Sequence, residues 1–144
     1  MSTIQQIRTT PHPADTSTIQ RQPVWKHGVA GTAAAAATVT VLAVIAKAAG
    51  VSFADSSGAS IPVAGFTELT VLFSLVGTGM AAVMARKAGR PRSTFVRTAV
   101  ALTVLSYVPD LIAGFSAGSA ATLIALHTVA AVIVVATLAR RLER

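Results

Sequence analysis

The 144-residue chain has no cysteine, which excludes disulfides, thiolate metal sites and a cysteine nucleophile, and leaves the redox compartment open. Charge is nearly as scarce. Only 12% of residues are Asp, Glu, Lys or Arg, against roughly a quarter in soluble domains, and 53% are hydrophobic. An ordinary soluble domain is excluded. The net charge of +7 does not point to nucleic acid, because the basic residues sit in short clusters between apolar runs and not along one soluble face. Also missing are the HExxH pair of zinc hydrolases, the nucleophile elbow, and any phosphate-binding or dinucleotide glycine motif. There is no fixed repeat period and no inverted-repeat symmetry. No cofactor is expected.

Four long, nearly uncharged segments are present. Residues 1–22, rich in Ser, Thr, Gln and Pro, cannot bury enough apolar surface to offset ordering and are expected to form a disordered cytoplasmic tail. Residues 23–144 then read as a four-helix transmembrane domain, with spans at about 28–51, 62–85, 94–115 and 119–138, since about 20 apolar residues cross the roughly 30 Å hydrocarbon layer. Trp25 and Lys26 suit the headgroup region at the start of the first span. That span is rich in alanine and threonine, so it is expected to depend on close packing with its neighbours. Residues 52–54, Ser-Phe-Ala, resemble a signal-peptidase site, but the long basic region and long apolar core favour a retained span. Pro62 fits a helix start, and Pro109 removes a backbone donor near the end of the third span.

Orientation follows from the positive-inside rule. Arg8, Arg21 and Lys26 precede the first span, Arg86, Lys87, Arg90, Arg92 and Arg97 lie between the second and third, and Arg140, Arg141 and Arg144 follow the fourth; Lys47 alone adjoins the other side. Both termini are therefore placed in the cytoplasm, the protein in the cytoplasmic membrane, and residues 52–61 and 114–119 outside.

Counting about 1.5 Å per residue from the outer ends places Lys47, Glu68, Asp110 and His127 in the outer half of the bilayer. Facing lipid costs each ionisable group a few kcal/mol, so such groups usually turn inward. Helical spacing aligns Thr32, Ala36, Thr40, Ala43 and Lys47 on the first span. On the third it aligns Ala99, Thr103, Ser106 and Asp110, with Tyr107 at the edge. The second is expected to turn Glu68, Leu72, Leu75, Gly79 and Ala82 inward, and the fourth Ala120, His127, Ala131, Val134 and Leu138. The picture is a ligand-binding or proton-sharing pocket of Lys47, Glu68, Ser106, Tyr107, Asp110 and His127 above an apolar cytoplasmic half. Blander readings stand beside it: Lys47 snorkelling to headgroups or ion-paired with a carboxylate, Asp110 at a wet helix end, His127 in an interhelical hydrogen bond. The formal charges of Lys47, Glu68 and Asp110 sum to minus one, so a neutral cluster needs a proton on His127 or on a carboxylate. A metal site of Glu68, Asp110 and His127 is disfavoured by the lysine, and a Ser106, His127, Asp110 triad by the missing elbow.

The fourth segment, Leu123-Ile-Ala-Leu-His127-Thr-Val-Ala-Ala-Val-Ile-Val-Val followed by Leu138-Ala-Arg-Arg-Leu142, resembles the closing helix of an actinobacterial family of four-helix membrane proteins, domain of unknown function 6069. An acidic residue early in the second helix and a histidine in the fourth match Glu68 and His127. The resemblance implies a fold and a membrane location and brings no established activity. The resulting expectation is an all-α integral membrane four-helix bundle without enzymatic activity, acting as a binding or accessory protein. Its partners are the lipid bilayer, a second copy or a partner membrane helix, and a small polar ligand; nucleic acid is not among them. A proton-coupled transporter acting as an oligomer and a membrane-embedded acid/base enzyme are the alternatives.

Overall fold

A computed structural model describes residues 24–142; the tail at residues 1–22 lies outside them. Four helices make up most of the described chain: α1 Val24–Ala48, α2 Val63–Lys87, α3 Pro91–Ile112 and α4 Ala117–Ala139. At 22 to 25 residues each, they are about 33–38 Å long at 1.5 Å per residue. Each is long and apolar enough to cross a membrane. Valine, leucine, isoleucine and phenylalanine side chains stand exposed along the spans, among them Val44, Ile45, Phe73, Val76, Leu105, Leu111 and Val132. Such a surface suits the hydrocarbon of a bilayer. The protein is a multi-pass transmembrane four-helix bundle.

Local chemistry sets the helix ends. Pro62 stands at the N-cap of α2 and Pro91 at the first turn of α3, where a missing N–H costs nothing. Ser116 caps α4, its Oγ accepting from the Ser119 backbone N–H at 3.2 Å; such a cap contributes about 1 kcal/mol. Pro109 lies inside α3, but only three residues from its end. Few backbone bonds remain for it to disturb.

Around the bundle, α1 packs on α2 and α4, and α3 packs on α4 and α2. Across the middle α2 meets α4, while α1 and α3 do not touch. Small and hydroxylated residues four apart, Gly28, Thr32, Ala36 and Thr40, form one stripe of α1, which meets α2 with Gly28 at Thr78 and Thr40 at Thr67. Gly28 allows this close approach, because a Cβ at that position would overlap the Thr78 side chain unless the helices shifted. Thr40 Oγ1 and Thr67 Oγ1 lie 2.6 Å apart across the same interface.

This corrects the expected face of α2. Glu68, Leu72, Leu75 and Gly79 are exposed, and the buried row is Phe66, Ser74, Thr78 and Ala81. In lipid, leucine gains nothing by turning inward, whereas small residues allow backbones to approach and hydroxyls find partners. The inner faces expected for α1 and α3 agree with the burial of Thr32, Ala36, Ala43, Ala99 and Asp110, except that Lys47 is exposed.

Two apolar clusters fill the bundle, one toward each end. At the end carrying the α1–α2 loop, Val39, Ala43, Phe53, Phe66, Leu123 and Leu126 pack together, with the Phe53 and Phe66 ring centroids 4.9 Å apart and tilted by 60°. At the basic end the cluster is Ala81, Phe95, Leu138 and Leu142. Phe53 belongs to the loop, and its backbone is in the left-handed region at φ 51°. That conformation costs a non-glycine residue about 1–2 kcal/mol, which burial of the ring to 1% exposure offsets with about 2–3 kcal/mol.

The loop is itself ordered. Asp55 Oδ1 accepts from Ser57 N at 2.8 Å, Ser57 Oγ at 2.6 Å and Ala59 N at 3.0 Å, and Ala54 bridges Ser60. The Ser57 hydroxyl, followed by the backbone donors, holds the Asp55 carboxyl below the usual carboxylate range. Ser56 then reaches across to the α3–α4 turn, where its backbone N–H and its Oγ both lie 3.4 Å from Ala113 O. Gly114 permits this approach: its φ is 73°, and an added Cβ would come 2.7 Å from Ser56 Cβ.

Candidate functional site

The polar residues of the α3–α4 interface form a seam beside the loop-end cluster. Tyr107 reaches from α3 to α4, its hydroxyl 2.8 Å from Thr128 Oγ1. One turn later Asp110 presents Oδ2 to His127 Nδ1 at 3.0 Å. The two partners differ in setting. Asp110 is buried, while 42% of the His127 side chain is exposed.

His127 Nδ1 has a second neighbour, Leu123 O, also at 3.0 Å. A carbonyl can only accept, so Nδ1 carries the proton in that bond. The N–H is aimed along the helix at Leu123, and Asp110 Oδ2, though equally near, has no hydrogen-bond partner of acceptable geometry among the described residues. The short distance therefore marks a contact poised beside a hydrogen bond, with one buried carboxylate oxygen left without a donor. On the neutral ring, Nε2 remains a free acceptor directed away from Leu123.

The other expected site residues lie apart from this pair. Ser106 Oγ donates to Thr103 O on its own helix at 2.7 Å. Lys47 is exposed in the last turn of α1 and makes no ion pair with Glu68 or Asp110. Glu68 is exposed on α2 and has neither hydrogen bond nor ion pair among the described residues. Its depth is nevertheless fixed, because its neighbour Thr67 bonds to Thr40, eight residues before the end of α1 or about 12 Å along the axis. Among the described residues, no three of His, Asp and Glu come together as a metal site.

Two partners escaped the sequence reading. Thr128 follows His127 directly and lies off the stripe used to define the inner face of α4; Thr67 precedes Glu68 in the same way. The available signal was a hydroxyl next to an ionisable residue in an apolar helix. The Leu123 carbonyl is a backbone group, so no sequence signal could have singled it out.

A four-helix membrane protein with an acid–histidine contact between its third and fourth spans is thus the class that fold and site define. Residues 19–144 match the model of a family described as a family of unknown function, DUF6069, and the chain belongs to that family. No curated protein matches the chain, and neither does any solved structure.

Proposed function

We propose that the protein is a non-enzymatic membrane accessory protein whose α3–α4 seam binds a polar group carried by a partner membrane helix. The observation that carries this reading is the Asp110–His127 contact: a buried carboxylate oxygen lacking a donor, 3.0 Å from a histidine whose ring is 42% exposed. Polar groups at membrane depth gain from a partner because hydrocarbon offers none. The two apolar clusters that fill the bundle at either end support binding at the seam over passage of a proton or solute along the axis. A small polar ligand is the other occupant the seam could take.

The basic end, carrying Lys26, Arg86, Lys87, Arg90 and Arg140, supports an orientation with both termini in the cytoplasm. Labelling of a Ser56→Cys variant by an impermeant maleimide on intact cells tests it; protection of that site with labelling of Ala88→Cys would reverse the topology.

The decisive experiment places the photo-crosslinking residue benzoylphenylalanine at Tyr107, an aromatic for an aromatic beside the seam. In native membranes it is expected to capture a protein, with at least fivefold less product when His127→Ala is also present. Capture no greater than from the same probe at Val44, an exposed position on α1, would refute a helix partner. A probe at Tyr107 that yields no protein, together with a thermal shift from a small polar compound that His127→Ala removes, would assign the seam to a ligand. Proton flux in reconstituted vesicles that Asp110→Asn abolishes would instead favour transport.

A further inference from the structure

We infer that the partner helix is α2 of a second copy of this chain, and that its Glu68 completes the seam by sharing a proton with His127 Nε2. The inference rests on the reading of the seam as a binding site and adds the identity of its occupant.

Glu68 carries the first half of the case. At 100° per residue it lies roughly 160–200° around α2 from Phe66 and Thr70, on the side opposite the row that α2 buries. That side faces lipid, with Leu69, Leu72, Phe73, Leu75 and Val76 exposed around it. A carboxylate there has no partner among the described residues, and the Thr40–Thr67 bond keeps it below the loop end of the bundle. Intramembrane carboxylates are stable when another group supplies or shares a proton. Farther along the same face Gly79 is open, with nothing within 4 Å of where a Cβ would sit, so another helix can approach closely there.

His127 supplies the complement. Its Nδ1 is committed to Leu123 O, its ring is partly exposed, and Nε2 has no partner among the described residues. Depth also agrees. Phe66, two residues before Glu68, packs in the same apolar cluster as Leu126, which adjoins His127. Copies inserted the same way hold these depths in common. One proton satisfies the pair in either arrangement, on the carboxyl donating to neutral Nε2 or on Nε2 donating to the carboxylate. Within one chain the pair does not form, because α2 meets α4 through the bundle interior while Glu68 points outward. A second copy supplies it.

The absence of native cysteine makes the test clean. Two differently tagged chains, one Glu68→Cys and the other His127→Cys, are co-expressed and treated in native membranes with a short bismaleimide, since a Glu–His bond separates the two Cα atoms beyond the roughly 7 Å reach of a disulfide. A mixed-tag dimer at least fivefold above that from Val44→Cys with His127→Cys is expected. Mixed-tag product at the control level, or a predominant Glu68→Cys homodimer, would overturn the proposal. The Tyr107 probe separates the two readings: capture of a different protein leaves the seam as a site for a partner helix and removes the second copy, whereas no capture removes a helix partner of either kind. Glu68→Leu, a change on the lipid face, is expected to reduce capture of a second copy at least fivefold, with Ser56→Cys in the same chain still labelled as in the parent protein to show that the bundle inserts normally. Unchanged capture in that variant would also overturn the assignment.

Discussion

The two hairpins of this bundle solve the same packing problem with different chemistry. Between α1 and α2, contact depends on the near absence of side chains: Gly28 against Thr78, and Thr32 and Ala36 among small or hydroxylated residues. Between α3 and α4 the contact is made by long polar side chains, Tyr107 to Thr128 and Asp110 to His127. The first interface is closed and has hydroxyls that bond mostly to their own helices, as Thr40, Thr70 and Thr78 do. The second leaves a histidine partly outside. A membrane interface made of small residues gains dispersion contact over its whole length, whereas one made of polar side chains gains a few directional bonds and keeps unfilled valences. The closed hairpin is the packed scaffold, and the open one carries the partly exposed histidine.

Substitutions that exchange these strategies should separate them. The largest effect is expected from Gly28→Val, which forces α1 from α2 at Thr78; a loss of about 2–3 kcal/mol should appear as a lower midpoint in denaturant unfolding of the reconstituted protein. An unchanged midpoint would show that the α1–α2 interface tolerates separation and that the contrast between the hairpins is unfounded. Tyr107→Phe removes one interhelical bond and leaves the ring, so a loss of about 0.6 kcal/mol is expected, the average for such bonds in a membrane protein. A loss as large as that of Gly28→Val would mean that the polar seam also carries the scaffold.

The loop over the α1–α2 hairpin responds to acid. Because Ser57 and neighbouring backbone donors hold the Asp55 carboxyl below its usual range, the order it confers is fully present above the unfolded pKa near 3.9. It is lost only as pH falls through the lower folded value. Hydrogen exchange in residues 54–60 should therefore be protected alike at pH 7 and pH 5 and lose protection in stronger acid, with Ser57→Ala moving the loss to higher pH. Loss that begins near pH 6 would assign loop order to another group. The smallest effect belongs to Thr32→Val: Thr32 Oγ1 is buried without a partner among the described residues, so a shape-preserving change that removes the hydroxyl should be neutral or slightly stabilising. Marked destabilisation would reveal a partner for that hydroxyl, such as an ordered water opposite Ser74.

Much of the architecture was legible because it depends on length and charge alone. Span number follows from apolar runs that match the hydrocarbon thickness, and the observed helices fall within a few residues of those runs. Asp110 and His127 could be brought to similar depth by counting rise per residue. The face of α2 could not be read in the same way. A charge avoids lipid, which points Glu68 inward and carries the leucines aligned with it in the same direction. Packing instead followed the row at Phe66, Thr70, Ser74 and Thr78, since in a bilayer the helix surface that excludes lipid is the one that fits its neighbour most closely.

By itself, then, the sequence determined that this chain crosses a membrane four times as helices and which residues lie at membrane depth, because hydropathy and rise per residue are properties of each segment alone. Only the tertiary structure decided which way each helix turns. That choice depends on how two surfaces fit: it placed Asp110 against His127, tied the histidine ring to Leu123, filled the loop end with Phe53, and left Glu68 facing outward.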